Sequence, residues 1–547
     1  MLEKTDLTGR IPKSEYKEKM PHLEAELGRL QRECRALNIP VLIVFEGFGA
    51  SGKGLQIGRL IHSMDPRGFR VFTVKEETEE ERMHPFLWRF WTKTPARGRI
   101  AVYDGSWNRK VLIDRFDGKT KEKDLPAAFR SIRSFERQLS DDGNLIIKLF
   151  LHIDRKEQKK RFQKLEENSS TAWRVSQGDR QRNNRYEEYA SMIEDMLRGT
   201  DADYAPWTII GATDNRSATV GIYTAVIRAM AERVEKLRKQ NGDAVIGRQE
   251  NARKKKEEET AGRWNGRNAK EIEEAATAAS SGDERSSLSG NGRFWNISRC
   301  TAGETEDSDT SVLSGVDLSL SYTREEYEEK KKKLQKKLAG LHEELYLRRI
   351  PVVIGFEGWD AAGKGGAIRR LTEKMDARGY DVNPTAAPND IEKEHHYLWR
   401  FWRSMPKDGH VAIFDRTWYG RVLVERIEGL CTPEEWKRAY REINDMERDL
   451  SDAGAVIIKF WLHIDRDEQE RRFRERQENP EKRWKITAED WRNREKWDQY
   501  EDAVSEMFRR TSTKYAPWVI VEGNCKYYAR IKVLRTVVGE IEKRMGK

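Results

Sequence analysis

Apolar residues in this chain fall into two kinds of run. Leucines recur at helical spacing through residues 16–37 and again through residues 327–349. Each of these runs is followed by a short unbroken apolar segment, residues 41–45 and 352–356. A glycine-rich turn comes next, then a helix beginning near Lys53 or Lys364. Further apolar segments lie at 99–103, 145–153 and 207–210 and, in the second half, at 410–414, 456–464 and 518–521. Strands that are apolar throughout, rather than at alternate residues, predict a parallel sheet covered by helices on both faces. Phosphate-bearing ligands are then expected at the carboxyl ends of those strands.

The two halves are one pattern written twice. A constant offset of 311 residues relates Lys53 to Lys364, Asp104 to Asp415, His84 to His395, Tyr189 to Tyr500 and Trp207 to Trp518. That period is far longer than a solenoid repeat and predicts tandem duplication of a whole domain. The expected fold class is α/β, with one domain over residues 1–241 and another over residues 316–547. Each is long enough to bury a sizeable core. Residues 242–315 between them are polar, with runs such as Arg253-Lys-Lys-Lys-Glu-Glu-Glu259 and Glu304-Thr-Glu-Asp-Ser-Asp-Thr-Ser311. Such a composition cannot offset its ordering entropy by apolar burial and predicts a mostly disordered linker. Phe294-Trp-Asn-Ile297 within it is read as a stray apolar cluster.

After residues 145–153 and 456–464 the pattern turns hydrophilic and helical. Asp154 and Asp465 each precede a glutamate by three residues, and Ser176-Gln-Gly-Asp179 and Thr487-Ala-Glu-Asp490 repeat a helix-start signal. A charged helical pair before the last strand predicts a lid over bound phosphate. Arg472 and Arg476, four residues apart, share one face of it.

The glycine turn reads Gly358-x-x-x-x-Gly363-Lys364 in the second copy and Gly47-x-x-x-x-Gly52-Lys53 in the first. This is the P-loop pattern, in which backbone N–H groups hold phosphate and the lysine adds a cation. Gly365 stands where the magnesium-binding hydroxyl of such loops is expected. Two acids are placed to supply the missing oxygen ligands, Asp360 inside the loop and Asp415 at the end of an apolar segment. Arg416 and Arg421 bracket Asp415 and are candidates to clamp a transferring phosphate. The first copy has Gly49, Gly105 and Leu165 where the second has Asp360, Arg416 and Arg476, which predicts that it is not an equal catalyst. His84 and His395, each before a Leu-Trp-Arg-Phe-Trp cluster, are read as packing, while Arg400 is expected to point into the phosphate channel.

Net charge is +10, with 36% of residues charged, which favours an anionic partner without naming it. The four cysteines are scattered and form no CxxC pair, so neither a disulfide framework nor a zinc site is indicated. The N-terminus carries no apolar targeting region and no window is apolar enough to span a membrane, so a cytoplasmic location is expected.

Taken together, Glu357-Gly-Trp-Asp-Ala-Ala-Gly-Lys-Gly-Gly366, Phe414-Asp-Arg-Thr-Trp-Tyr-Gly-Arg421, His396-Tyr-Leu-Trp-Arg400, the lid around residues 472–485 and Ala516-Pro-Trp518 closely resemble polyphosphate kinase family 2. The resemblance covers both repeats and implies P-loop kinase domains with helical lids, acting on inorganic polyphosphate with magnesium. It points to the two-domain polyphosphate:AMP phosphotransferase type, which makes ADP from AMP in its C-terminal domain. Carried over residue by residue, it implies magnesium on Asp360 and Asp415 and the transferred phosphate on Lys364, while Gly358, Gly363 and Gly365 of the P-loop pattern are expected to bind substrate. The phosphate chain or its acceptor would lie on Arg416, Arg421 and Arg476, and Arg472 on the same lid face is also expected to bind substrate. Expected partners are polyphosphate and AMP or ADP, with no membrane or nucleic acid, and the two domains are expected to pair as a pseudo-dimer. Alternative readings are phosphorylation of ADP to ATP, an ATP-dependent small-nucleotide kinase, and an anion-binding adaptor built on an inactive kinase fold.

Overall fold

The unbroken apolar segments become four of the five strands in each of two wholly parallel sheets, the three inner strands and one edge. The computed structural model describes residues 1–265 and 311–547 apart from residues 482, 484, 485 and 487. The first sheet comprises β1 (Val41–Gly47), β2 (Phe69–Thr73), β3 (Ile100–Asp104), β4 (Leu145–His152) and β5 (Trp207–Gly211), in the order β2-β3-β1-β4-β5. The second comprises β6 (Val352–Gly358), β7 (Tyr380–Pro384), β8 (Val411–Asp415), β9 (Val456–His463) and β10 (Trp518–Glu522). Its order, β10-β9-β6-β8-β7, is the same arrangement read from the other edge. Each domain is therefore a P-loop kinase-like α/β unit.

Sequence pattern did not reveal β2 and β7. Both are edge strands on which only the first and fourth residues are even partly buried, so neither reads as an apolar run. The lid also differs from the helical pair expected. It has three helices in each domain: Arg155–Glu166, Gln177–Asn184 and Tyr186–Thr200 in the first, and Arg466–Glu478, Ala488–Glu495 and Trp497–Thr511 in the second. Ser176 and Asp179 do form the predicted capping box, whereas Thr487 lies outside the described residues. The helix that follows β5 runs from Asn215 to Asn265, so the segment expected to be a linker from residue 242 begins as helix. The rest of that segment up to residue 310, including Phe294–Ile297, lies outside the described residues. No helix among the described residues is long and apolar enough to cross a membrane.

Each core contains a buried ion pair in the same place. Lys148 on β4 donates to Glu136 (2.7 Å) and to the Thr200 carbonyl (2.6 Å). Lys459 on β9 donates to Glu447 (2.8 Å) and to the Thr511 carbonyl (2.8 Å). A buried ion pair persists only when its remaining hydrogen-bond demands are met, as these are. Its retention in both domains marks it as scaffold.

The domains face each other through matching surfaces. Trp91 and Trp402, equivalent residues, stack with ring centroids 5.8 Å apart and planes 12° from parallel. Ser134 donates to its own counterpart, Asp445 (2.7 Å). The Arg97 N–H donates to the Glu394 carbonyl (3.0 Å), and the mirrored bond runs from the Asp408 N–H to the Met83 carbonyl (2.8 Å). Arg130 pairs with Asp452 and, reciprocally, Arg441 pairs with Asp141 (2.6 Å). Contacts that map onto themselves in this way define an isologous interface about a pseudo-two-fold axis.

Candidate active site

Parallel register sets the position of the acids. Phe356 on β6 lies opposite Asp415 on β8, so Asp415 ends its strand beside the start of the glycine loop. Gly358 has φ +146°, and a Cβ there would meet the Leu462 carbonyl at 2.4 Å, so only glycine allows the loop to turn this close to β9. Gly363, at φ +111°, caps the helix Lys364–Thr372, whose N-terminal N–H groups open toward the cradle. Lys364 Nζ donates to the Gly358 (2.6 Å) and Trp359 (3.3 Å) carbonyls. Gly365 sits in the first helical turn with nothing within 4 Å of a built Cβ, so space alone does not require glycine there.

Asp360 is held from two directions. Arg416, itself at φ +66°, donates to Asp360 Oδ1 (3.3 Å), and Asn493 from the lid donates to Asp360 Oδ2 (3.2 Å). Gln469 fixes the same residue's carbonyl (3.1 Å). Trp497 closes the lid on the loop by stacking on Trp359 (3.8 Å, 12°). Behind the loop, Glu357 accepts from the Thr417 N–H (2.7 Å) and hydroxyl (2.8 Å). Burial pushes its carboxyl above the ordinary value, although Lys364 and Thr417 oppose that.

Two clefts flank the loop. One of about 90 Å³ is lined by Gly358, Asp360, Lys364, Arg416, Asn493 and Trp497. The other, of about 200 Å³, lies between the start of the P-loop helix and the lid and is lined by Gly363, Gly366, Arg472, Arg476, Lys526 and Arg530. Asn493, Lys526 and Arg530 were not found from the sequence. The available signal was the repeat itself, whose first copy has Arg182, Asn215 and Thr219 at these positions.

Two expected substrate ligands have other tasks. Arg472 is 2% exposed and spends its guanidinium on the Ala361 and Ala362 carbonyls (3.0 Å each), the Gly523 (2.6 Å) and Asn524 (3.0 Å) carbonyls, and Glu468. It clamps the P-loop to the turn after β10. Arg161 repeats this clamp in the first domain, on Ala50, Ser51, Ala212 and Thr213, which fits scaffold rather than substrate contact. Arg400 donates to the Ala386 carbonyl (2.9 Å) and pairs with Glu392 (3.2 Å) instead of entering either cleft. Arg89 does the same with Lys75 and Glu81. Arg421 follows Gly420, which lines the smaller cleft, and pairs with Glu425 (3.1 Å). His84 and His395 stack on Trp88 and Trp399 (4.0 Å each), and burial lowers both imidazoles to about 4, as packing residues.

The first domain keeps the cradle and lacks the charges. Lys53 rests on the Gly47 (2.9 Å) and Phe48 (3.3 Å) carbonyls, as Lys364 does on theirs. A Cβ on Gly49 would lie 2.9 Å from Asp179 Oδ1, so a lid acid fills the space where the loop acid would begin. Arg182, in place of Asn493, pairs with that acid (3.1 Å). Where the second domain has its basic cleft, Thr219 donates to Gln56 (2.8 Å) and Arg59 donates to Thr219 (2.6 Å).

A family model for polyphosphate kinase 2 matches residues 10–239 and 321–547. The chain is 38% identical over 545 residues to a Pseudomonas aeruginosa polyphosphate:AMP phosphotransferase, with 99% of each chain covered. It is 32% identical over 530 residues to a protein of the same name from Acinetobacter johnsonii, covering 95% of this chain and 94% of that one. A crystal structure of a Pseudomonas aeruginosa chain described as polyphosphate kinase 2 superimposes with a TM-score of 0.80 at 36% identity, over 100% of both chains. Two copies of one P-loop domain, each matched by the same family model, place this chain in the polyphosphate kinase 2 family.

Proposed function

We propose that the second domain transfers a phosphoryl group from inorganic polyphosphate to AMP, giving ADP, and that the first domain, residues 1–241, is its non-catalytic partner. Full-length relatives of that name support the activity. The observation that carries the division of labour is the Asp360–Arg416–Asn493 set, present in the second domain and replaced at all three positions by Gly49, Gly105 and Arg182 in the first.

Phosphoryl transfer needs positioning and charge more than covalent chemistry from the protein. The cradle N–H groups and Lys364 hold the transferring phosphate, and Arg416 and Arg421 stabilise the charge that spreads over its oxygens. Arg476, Lys526 and Arg530 line the larger cleft with cations suited to a polyanion. The smaller cleft, walled by Trp359 and Trp497, takes the acceptor, and the closed lid excludes water that would otherwise hydrolyse the donor. The donor set fits magnesium. It offers two hard carboxylates at adjacent strand ends and, among the described residues, no cluster of three or more His, Cys, Asp or Glu, which leaves coordination to phosphate and water oxygens. Asp360 and Asp415 would hold that ion, which supplies positive charge to the phosphate oxygens.

The test is a product assay of the purified chain with magnesium and AMP, ADP or GMP, using either polyphosphate or ATP as donor. ADP formed from AMP and polyphosphate is the expected result. Phosphorylation of AMP by ATP alone would replace this reading with an ordinary nucleotide kinase, and conversion of ADP but not AMP would reassign the acceptor.

A further inference from the structure

The pseudo-symmetric interface carries a polar chain whose hydrogen bonds and ion pairs have no mirror image. Asp142, at the end of the first domain's helix Leu125–Asp141, accepts from Arg438 of the second domain (3.2 Å) and lies 3.7 Å from Arg97. Arg438 Nε donates to Glu442 Oε1 (3.0 Å). The other oxygen of Glu442, fully buried, lies 3.5 Å from His396 Nε2. Tyr397 is partly buried and packs its ring on His396, with centroids 4.8 Å apart, and burial of its hydroxyl together with Glu442 pushes that group well above the ordinary value. The ring of Tyr397 then supports Arg421, whose guanidinium carbon sits 4.6 Å from the ring centroid. Arg421 Nε has no hydrogen-bond partner in the described structure, so this stack and Glu425 set the direction of its fork.

The four polar residues that lead to the ring are lost at the mirrored position, where only a cation over a ring is kept, Lys110 over Phe86 (5.6 Å). Asp142, Arg438, Glu442, His396, Tyr397 and Arg421 correspond to Ala453, Ala127, Ser131, Pro85, Phe86 and Lys110. The mirrored place at the interface is instead a cleft of about 80 Å³ lined by Pro85, Asp408 and Ala453. Ordinary docking of the domains is achieved by the symmetric contacts, the Trp91–Trp402 stack and the Arg130–Asp452 and Arg441–Asp141 pairs. The asymmetric chain is therefore additional to docking, and it ends at the arginine that follows Gly420 of the smaller cleft.

We infer that the first domain positions Arg421 of the second, through Asp142, Arg438, Glu442, His396 and Tyr397, and so tunes phosphoryl transfer without touching substrate. Asp142 is on this account a positioning residue, and the inference rests on Arg421 acting in the proposed reaction. The experiment is a double-mutant cycle on the full-length chain with Asp142→Ala and Arg421→Ala, reading kcat and KM for polyphosphate-dependent AMP phosphorylation. Asp142→Ala should lower kcat/KM about tenfold in the wild-type background, the size expected of coupling through a contiguous network. It should have no further effect once Arg421 is alanine. Asp142→Glu should recover part of the loss, and Asp142→Asn, which preserves shape, gives the same reading should the alanine variant fold poorly. Arg130→Ala, which cuts a symmetric docking pair, should leave kcat/KM within about twofold of wild type, an uncoupled surface pair being worth little. An unchanged rate in Asp142→Ala and Asp142→Asn, or equal losses in both Arg421 backgrounds, overturns the inference. Full activity of Arg421→Ala would instead remove the role given to Arg421 and leave the active-site proposal to be revised.

Discussion

The two glycine loops of this chain share a backbone and differ in charge. Both lysines rest on the same pair of loop carbonyls, and both lid arginines, Arg161 and Arg472, clamp the loop to the turn after the last strand. Both buried glutamates behind the loop, Glu46 and Glu357, accept from a hydroxyl on the adjacent turn. What differs is the group of side chains facing the clefts: Asp360, Arg416, Asn493, Arg476, Lys526 and Arg530 against Gly49, Gly105, Arg182, Leu165, Asn215 and Thr219. Duplication thus separates residues that a P-loop domain needs in order to fold from residues it needs in order to react. Whatever both copies retain is scaffold unless something further argues otherwise.

The largest effect should come from the acid that only the second loop carries. Asp360→Asn removes a full charge from the proposed magnesium site and weakens the anchor for Arg416, so turnover should fall at least about a hundredfold with the fold intact. The reverse graft should gain nothing. Gly49→Asp places a carboxylate against Asp179, 2.9 Å from the new Cβ, so a chain with that change and a disabled second loop should stay inactive. Steady-state rates of both variants at saturating magnesium check this, and measurable activity from the grafted first loop would break the comparison.

Much of this site was legible in the sequence, for identifiable reasons. The glycine spacing, Asp360 and the acid ending β8 lie within short local motifs, and the offset of 311 residues exposed where the copies part. Arg472 misled because an arginine on a lid face looks the same whether it meets substrate or backbone carbonyls. Only its burial and its repetition as Arg161 distinguish the two. The basic cleft was illegible because it joins the P-loop helix, the lid and the helix Lys526–Met545, whose residues are far apart in the chain. Asn493 is an amide in a strongly charged helix, and its meaning depends on Asp360 being 3.2 Å away.

The shared scaffold should answer equally in both halves. Arg472→Ala and Arg161→Ala each strip a charged donor from four carbonyls and a glutamate, which should cost about 3 kcal/mol of stability in the affected domain. Urea unfolding of each variant measures it. A loss confined to Arg472→Ala, appearing only as weaker polyphosphate binding, would restore Arg472 to the substrate site.

A smaller effect concerns the interface. Asp449 is partly buried beside Ser131, which donates to it (2.6 Å), and its first-domain counterpart is Gln138. Burial, with Asp445 and Asp452 nearby, pushes its carboxyl from 3.8 up to about 7. The folded state therefore favours the protonated form. The contribution is fully present below about pH 4 and is lost as pH rises through about 7. Relative to Asp449→Asn, the wild-type chain should lose stability across that window in urea midpoints measured from pH 4 to 8. Parallel curves would show that Asp449 is not perturbed.

The most direct test of one working half is to make the same cut in each loop. Lys364→Ala and Lys53→Ala remove equivalent cations from equivalent carbonyl cradles in the full-length chain, assayed with polyphosphate, magnesium and AMP. The account predicts that Lys364→Ala lowers the rate about a hundredfold or more. Lys53→Ala should stay within a few-fold of wild type, its effect confined to polyphosphate affinity or stability. Comparable losses from the two variants would show that the first loop takes part in the reaction and would contradict the division drawn between the domains.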